Sequence, residues 1–96
     1  ENTAFYKQGD IIYSPGDKAD FVYFLKSGIV VEEKNDIENR YEKGVFFGEK
    51  SAVLKRDHLA TASAEIDCEI IRIKADEFRA LLVQNPRASA HAVEKL

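Results

Sequence analysis

From Gln8 to Gly44 the chain meets a turn signal every eight to twelve residues, and the segments between are short and rich in β-branched and aromatic residues. The signals are Gln8-Gly9-Asp10, Ser14-Pro15-Gly16-Asp17, Lys26-Ser27-Gly28, Lys34-Asn35-Asp36 and Glu42-Lys43-Gly44. Each supplies Gly, Asn or Asp where the backbone needs positive φ. No long helix fits between such breaks, so this stretch predicts a sandwich or barrel of short strands near 3–6, 11–14, 21–26, 29–34 and 37–42. The unbroken apolar run Phe21-Val22-Tyr23-Phe24-Leu25 predicts a strand covered on both faces.

Beyond Phe46-Phe47-Gly48 the pattern changes. Glu49 to Leu54 has good helix formers behind an initial acid and predicts one or two helical turns. A strand over Leu59 to Ala64 follows. The small side chains of Ala60, Thr61, Ala62, Ser63 and Ala64 leave room inside a closed roll. Cys68 to Lys74 predicts a further strand. Phe78, Leu81 and Leu82 then recur at helical spacing behind Asp76 and Glu77. Asn85-Pro86 breaks that helix and caps a second one, whose apolar stripe is Ala92, Val93 and Leu96.

Ninety-six residues make one domain, 45% apolar and 32% charged, so disordered and fibrous classes fall away. A net charge of −3 with both signs interspersed gives no basic face for nucleic acid. No apolar run approaches the ~20 residues that span a bilayer, and neither a membrane segment nor a signal peptide is expected. Cys68 stands alone, which excludes an internal disulfide and suits a domain built for a reducing compartment or indifferent to redox, with the cytoplasm as the default expectation. A start at Glu1 rather than Met is expected of a piece cut from a longer protein.

Catalytic signals are weak. Only His58 and His91 could offer imidazole, and they lack local partners for a metal. Cys68 lies between Asp67 and Glu69, which blunt a thiol, and reads as a small core residue. Ser14, Ser27, Ser51, Ser63 and Ser89 sit in no nucleophile-elbow context. The expectation is no catalytic residue, no metal and no enzyme.

The segment Phe47-Gly48-Glu49-Lys50-Ser51, with the loop leading to Ala60, is more informative. A glycine entering a short helix exposes backbone N–H groups suited to phosphate. Glu49 cannot assist an anion, so in such a site it serves a hydroxyl, and phosphate with hydroxyl describes a sugar phosphate or nucleotide. The alternative for Glu49 is a plain first-turn acid.

These residues carry a resemblance. Lys7-Gln8-Gly9-Asp10-Ile11-Ile12, Pro15-Gly16-Asp17-Lys18-Ala19-Asp20, Val22 to Gly28, Phe47-Gly48-Glu49, Ala60 to Ala64 and the Phe78, Leu81-Leu82, Pro86 pattern occur in order and at family spacing. The chain resembles the cyclic nucleotide-binding domains of protein kinase A regulatory subunits, catabolite activator proteins and cyclic-nucleotide-gated channels. The resemblance implies a mainly β fold: an antiparallel β-roll, jelly-roll-like, of about eight strands over residues 3–74, with a short internal helix and two C-terminal helices over 75–96. It implies that Phe47, Gly48, Glu49, Lys50, Ser51, His58, Leu59 and Ala60 form the ligand site. Gly48 and its neighbouring amides would face the cyclic phosphate, and Glu49 would accept from the ribose 2′-hydroxyl.

The sequence departs from the family at one decisive point. The family places Arg nine positions after the Glu of its Phe-Gly-Glu motif, preceded by Pro; here the pair is Asp57-His58, followed by Leu59. Guanidinium is permanently charged and bidentate, whereas imidazole with a pKa near ~6.5 is mostly neutral at pH 7. Losing such a contact weakens binding by about ten- to a hundredfold. Arg56 could substitute, or be a solvated loop cation; His58 could be protonated by the phosphate, or be a drifted position in a disused site. Val31 and Tyr41 flank the expected base pocket and serve equally as core residues, and His91 reads as solvent-facing.

The implied function is a regulatory module that senses cAMP or cGMP, with no tightly bound cofactor, and signals through its C-terminal helix to an output domain. The alternative is a degenerate domain acting as an interaction or dimerisation scaffold or sensing another ligand. This domain is expected to bind neither nucleic acid nor membrane, and homodimerisation stays open.

Overall fold

The computed structural model describes residues 2–84; the second C-terminal helix expected from Asn85 onward, and His91 within it, lie outside the described residues. The elements run β1 (Asn2–Tyr6), β2 (Ile11–Tyr13), β3 (Phe21–Ser27), β4 (Ile29–Lys34), β5 (Ile37–Glu42), β6 (Phe46–Phe47), α1 (Glu49–Val53), β7 (Thr61–Ala64), β8 (Cys68–Lys74) and α2 (Ala75–Gln84). Two four-stranded sheets form, ordered β1-β8-β3-β6 and β2-β7-β4-β5. Their ladders are antiparallel, and from β1 to β8 only the β4–β5 step stays within one sheet. That step is a two-residue hairpin through Asn35 and Asp36, both left-handed at φ 52° and 64°, as the matching twist of such a turn requires. No helix among the described residues is long and apolar enough to cross a membrane.

Beyond one-residue shifts at the ends of β1, β2 and β3, two features differ from the sequence-based expectation. β6 is unanticipated because two residues have no period; it exists through its ladder with β3, Tyr23 opposite Phe47 and Phe24 opposite Phe46. The strand expected from Leu59 begins only at Thr61, because a turn distant in sequence takes the preceding backbone groups. Gly16 N–H donates to His58 C=O and His58 N–H donates to Asp17 C=O, each at 2.9 Å.

The core lies between the sheets. Phe47, Leu25, Val30, Ile70 and Ala62 are fully buried there, with Tyr13, Tyr23, Ala64 and Cys68 nearly so. The space left by Ala62 and Ala64 is filled by rings: Tyr23 and Tyr41 stack on Phe47 at centroid distances of 5.2 and 5.8 Å, and Tyr13 lies 5.6 Å from Tyr23. A smaller cluster of Val22, Ala52 and Ala75, with Phe78 against it, joins α1 and α2 to the roll. Arg79 Nη1 donates to Ala52 C=O at 2.6 Å, so α2 satisfies a carbonyl near the C-terminal end of α1. Cys68 is a core residue, and burial, helped by Asp67, pushes its thiol pKa up.

Gly28 joins the two sheets where no other residue fits. Its φ is +102°, and a Cβ there would lie 2.5 Å from Asp67 O and 2.6 Å from Cys68 Sγ. Gly28→Ala combines left-handed strain with a backbone clash, so it should cost about 2–5 kcal/mol of stability. Chemical denaturation of the two proteins measures this, and a loss under about 1 kcal/mol would show that the β3–β4 corner yields easily.

Candidate functional site

Gly48 turns the chain from β6 into α1 with φ 74° and ψ 4°, a left-handed conformation that suits glycine. Added bulk would also be crowded there, because a Cβ would meet the Tyr23 and Tyr13 rings at 3.1 and 3.3 Å. The turn opens one wall of a cleft of about 240 Å³, made by Gly48, Glu49, Lys50 and Ser51 together with Arg56, His58, Leu59 and Ala60. The rest of the lining is Tyr13 of β2, Glu32 and Lys34 of β4, and Tyr41 of β5. Of the residues expected from the sequence at the ligand site and base pocket, Phe47 and Val31 do not line it. Phe47 lies fully buried beneath, under Tyr23 and Tyr41.

Val31 is displaced by strand parity. Side chains alternate along a strand, and Val30 is fully buried on the inner face, so Glu32 and Lys34 follow it toward the cleft while Val31 points away. The signal for these residues was in the sequence, as an inner-face series that turns charged at its second member. Tyr41 lies where expected. Tyr13 was missed, since nothing local marks it. Its hydroxyl donates to Glu32 Oε2, and Tyr41 Oη donates to Glu32 Oε1 at 2.9 Å. Burial, reinforced by Glu32, raises the pKa of both phenols, and burial carries Tyr23 to about 12.

His58 is only 2% exposed, with its ring stacked on Tyr13 at 3.6 Å and an interplanar angle of 7°. Its Nε2 is buried and has no hydrogen-bond partner among the described residues. Burial lowers its pKa, against a weaker upward pull from Glu32, Asp17, Asp57 and Asp20. Without ligand, burial therefore favours the neutral imidazole at pH 7. The cleft's cations are Lys34, Lys50 and Arg56. Arg56 is exposed, as expected of a loop cation, yet it lines this cleft and also a second, open groove of about 520 Å³ bordered by Lys18, Phe21, Lys74 and Arg79. No three metal-ligating side chains gather among the described residues.

The buried imidazole has a pH consequence. With its folded pKa below the unfolded value of ~6.5, the unfolded chain binds the proton more readily, so stability is full above that value and lost as pH falls below it. Thermal melting should drop between pH 7 and pH 5. His58→Phe, which preserves the stack on Tyr13, should flatten that drop; an unchanged slope would assign it to other groups.

The comparisons agree with this geometry. The family model described as "Cyclic nucleotide-binding domain" matches residues 3–85. The cAMP-dependent protein kinase regulatory subunits of Aspergillus niger and Aspergillus fumigatus are 31% and 32% identical over 80 residues. Those alignments cover 80% of this chain, which spans only about a fifth of each relative: 20% and 19%. Among solved structures, the regulatory domain of Toxoplasma gondii PKA with cAMP superposes with a TM-score of 0.84 at 20% identity, covering 99% of this chain and 39% of that one. The cGMP-bound EAL enzyme Bd1971 gives 0.81 at 18%, covering 97% and 26%. With two sheets rolled around Phe47 and a glycine turn opening the cleft above it, this chain belongs to the cyclic nucleotide-binding domain family.

Proposed function

We propose that this chain is a regulatory module that takes a cyclic nucleotide into the cleft and passes its occupancy to an output domain. The observation that carries the reading is the convergence of Gly48, Glu49, Lys50, Ser51 and Arg56 on one cleft. In this reading the amides following Gly48 face the phosphate, Glu49 accepts from the ribose 2′-hydroxyl, and Arg56 with Lys50 replaces the guanidinium missing at His58. Arg79 offers the route outward. Its bond to Ala52 C=O ties α1, beside the ligand, to α2, so a ligand that shifts α1 shifts α2. The Aspergillus relatives, regulatory subunits by name, support a regulatory rather than a catalytic role.

A second reading has its own support. His58 is packed into the wall on Tyr13, and that arrangement also suits a roll retained as an interaction scaffold after its ligand was lost.

Calorimetric titration with cyclic nucleotides at pH 6 and pH 8 separates the two. The sensor reading expects micromolar or tighter binding that varies little between those pH values, because the phosphate is held by Arg56 and Lys50 and not by a charged His58. It also expects a weaker 2′-deoxy analogue, a difference that Glu49→Ala removes, and a loss of about ten- to a hundredfold in Arg56→Ala. Absence of binding by the wild type, with binding in His58→Arg, would establish the scaffold reading.

A further inference from the structure

We infer that the cleft takes an uncharged ribonucleoside as a ligand in its own right, because Glu32 fixes a carboxylate at the end where a cyclic phosphate would lie. The inference rests on the placement in the reading above, with the ribose at Glu49 and the phosphate end at Gly48. Tyr13 locates the carboxylate. Its ring stacks on His58 at 3.6 Å, and its Cε2, next to the hydroxyl-bearing carbon, would lie 3.3 Å from a Cβ on Gly48. The hydroxyl donates to Glu32 Oε2. The carboxylate therefore stands one hydrogen bond from a ring that touches both Gly48 and His58. Burial lowers the His58 pKa, and among the charges that oppose it Glu32 is the foremost, which agrees with this placement.

This end of the cleft holds no buried cation among the described residues. His58 lines it, only 2% exposed, and its Nε2 has no hydrogen-bond partner among the described residues. The cations Lys34, Lys50 and Arg56 are all exposed, where water and salt screen them. Glu32 is half-buried and cannot swing aside, since Oε2 is held by Tyr13 and Oε1 accepts from Tyr41 Oη at 2.9 Å. For a cyclic phosphate, which carries one negative charge, repulsion from this carboxylate offsets attraction to Arg56 and Lys50. A ribonucleoside brings no charge. Its 3′- and 5′-oxygens, esterified in the cyclic phosphate, are free hydroxyls that can donate. Each Glu32 oxygen keeps a lone pair beyond its phenol bond, and a hydroxyl donating to a carboxylate makes a charge-assisted bond. The group that opposes the phosphate is in this way an acceptor for the sugar that lacks it.

Calorimetric titration of the wild-type domain with adenosine, guanosine, cAMP and cGMP tests the inference. Each nucleoside should bind no more than about tenfold more weakly than its own cyclic phosphate. Two variants should then act with opposite signs on the two ligand classes. Glu32→Gln keeps the side-chain length and can accept from one phenol and donate to the other. It should tighten the cyclic nucleotides and weaken the nucleosides, each by about threefold or more. Arg56→Ala should weaken the cyclic nucleotides alone, and melting temperatures report that both variants keep the roll. Nucleosides bound more than about tenfold more weakly than their cyclic phosphates would overturn the inference and leave the nucleotide reading standing. A folded Glu32→Gln that shifts both classes in the same direction would overturn it too, since the carboxylate would then be only a part of the wall. Binding of nucleosides without cyclic nucleotides would uphold the inference and overturn the nucleotide reading. Binding of neither class would overturn both.

Discussion

Phe47 is fully buried, and the rings of Tyr23 and Tyr41 stack on it, with Tyr13 at 6.3 Å. Its own strand pairs with β3 in one sheet, while Tyr13 and Tyr41 belong to β2 and β5 of the other. One side chain therefore fastens the two sheets together. Small residues at Ala62 and Ala64 are what admit so many rings; larger ones would overfill the layer. The next residue is Gly48, so the anchor of the core also fixes where the functional turn begins. Removing such a buried ring costs about 3–5 kcal/mol. Here the same loss would release the turn, the cleft wall and the start of α1 together.

The strands were legible in the sequence because period and punctuation are local properties. Asn35-Asp36 and Gly28 mark their turns whatever the rest of the chain does. What escaped was what only tertiary contact decides. β6 is a strand because Tyr23 and Phe24 lie beside it, and Leu59 is not in one because the Ser14–Asp17 turn holds the backbone of His58. The candidate site was largely legible from Phe47-Gly48-Glu49 and the loop that follows. The character of His58 was not, since it depends on Tyr13, far away in the chain. The choice between Val31 and Glu32 was a matter of parity, and a single register step exchanges the faces of a strand.

The absence of guanidinium at position 58 rearranges the electrostatics of the cleft. A family member with Arg there has a cation within the wall. Here the wall holds a neutral ring, and the positive charge sits at the rim on Arg56, Lys50 and Lys34. Exposed cations are screened by water and salt and contribute less per contact than a desolvated one. Two carboxylates, Glu32 and Glu49, line the same space. A cyclic nucleotide would thus owe less of its affinity to its phosphate, and more to hydroxyl and base contacts, than in a site with buried guanidinium. Such a balance favours discrimination among ligands over tight binding to any one of them.

In the sensor reading proposed above, Arg56 and Arg79 are the route from the cleft to α2. Arg56 borders both the cleft and the groove toward α2, and Arg79 lines that groove while bonding to the last turn of α1. A ligand changes an equilibrium only to the extent that it binds two states unequally. In the sensor reading, a phosphate that draws Arg56 into the cleft withdraws a cation from a groove of mixed charge, where Asp20, Asp57 and Asp76 lie among Lys18, Lys55, Lys74 and Arg79 and Asp76 pairs with Arg79. In that reading, ligand occupancy and the packing of α2 would be linked through one side chain, and by reciprocity whatever holds α2 in place would alter affinity in the cleft.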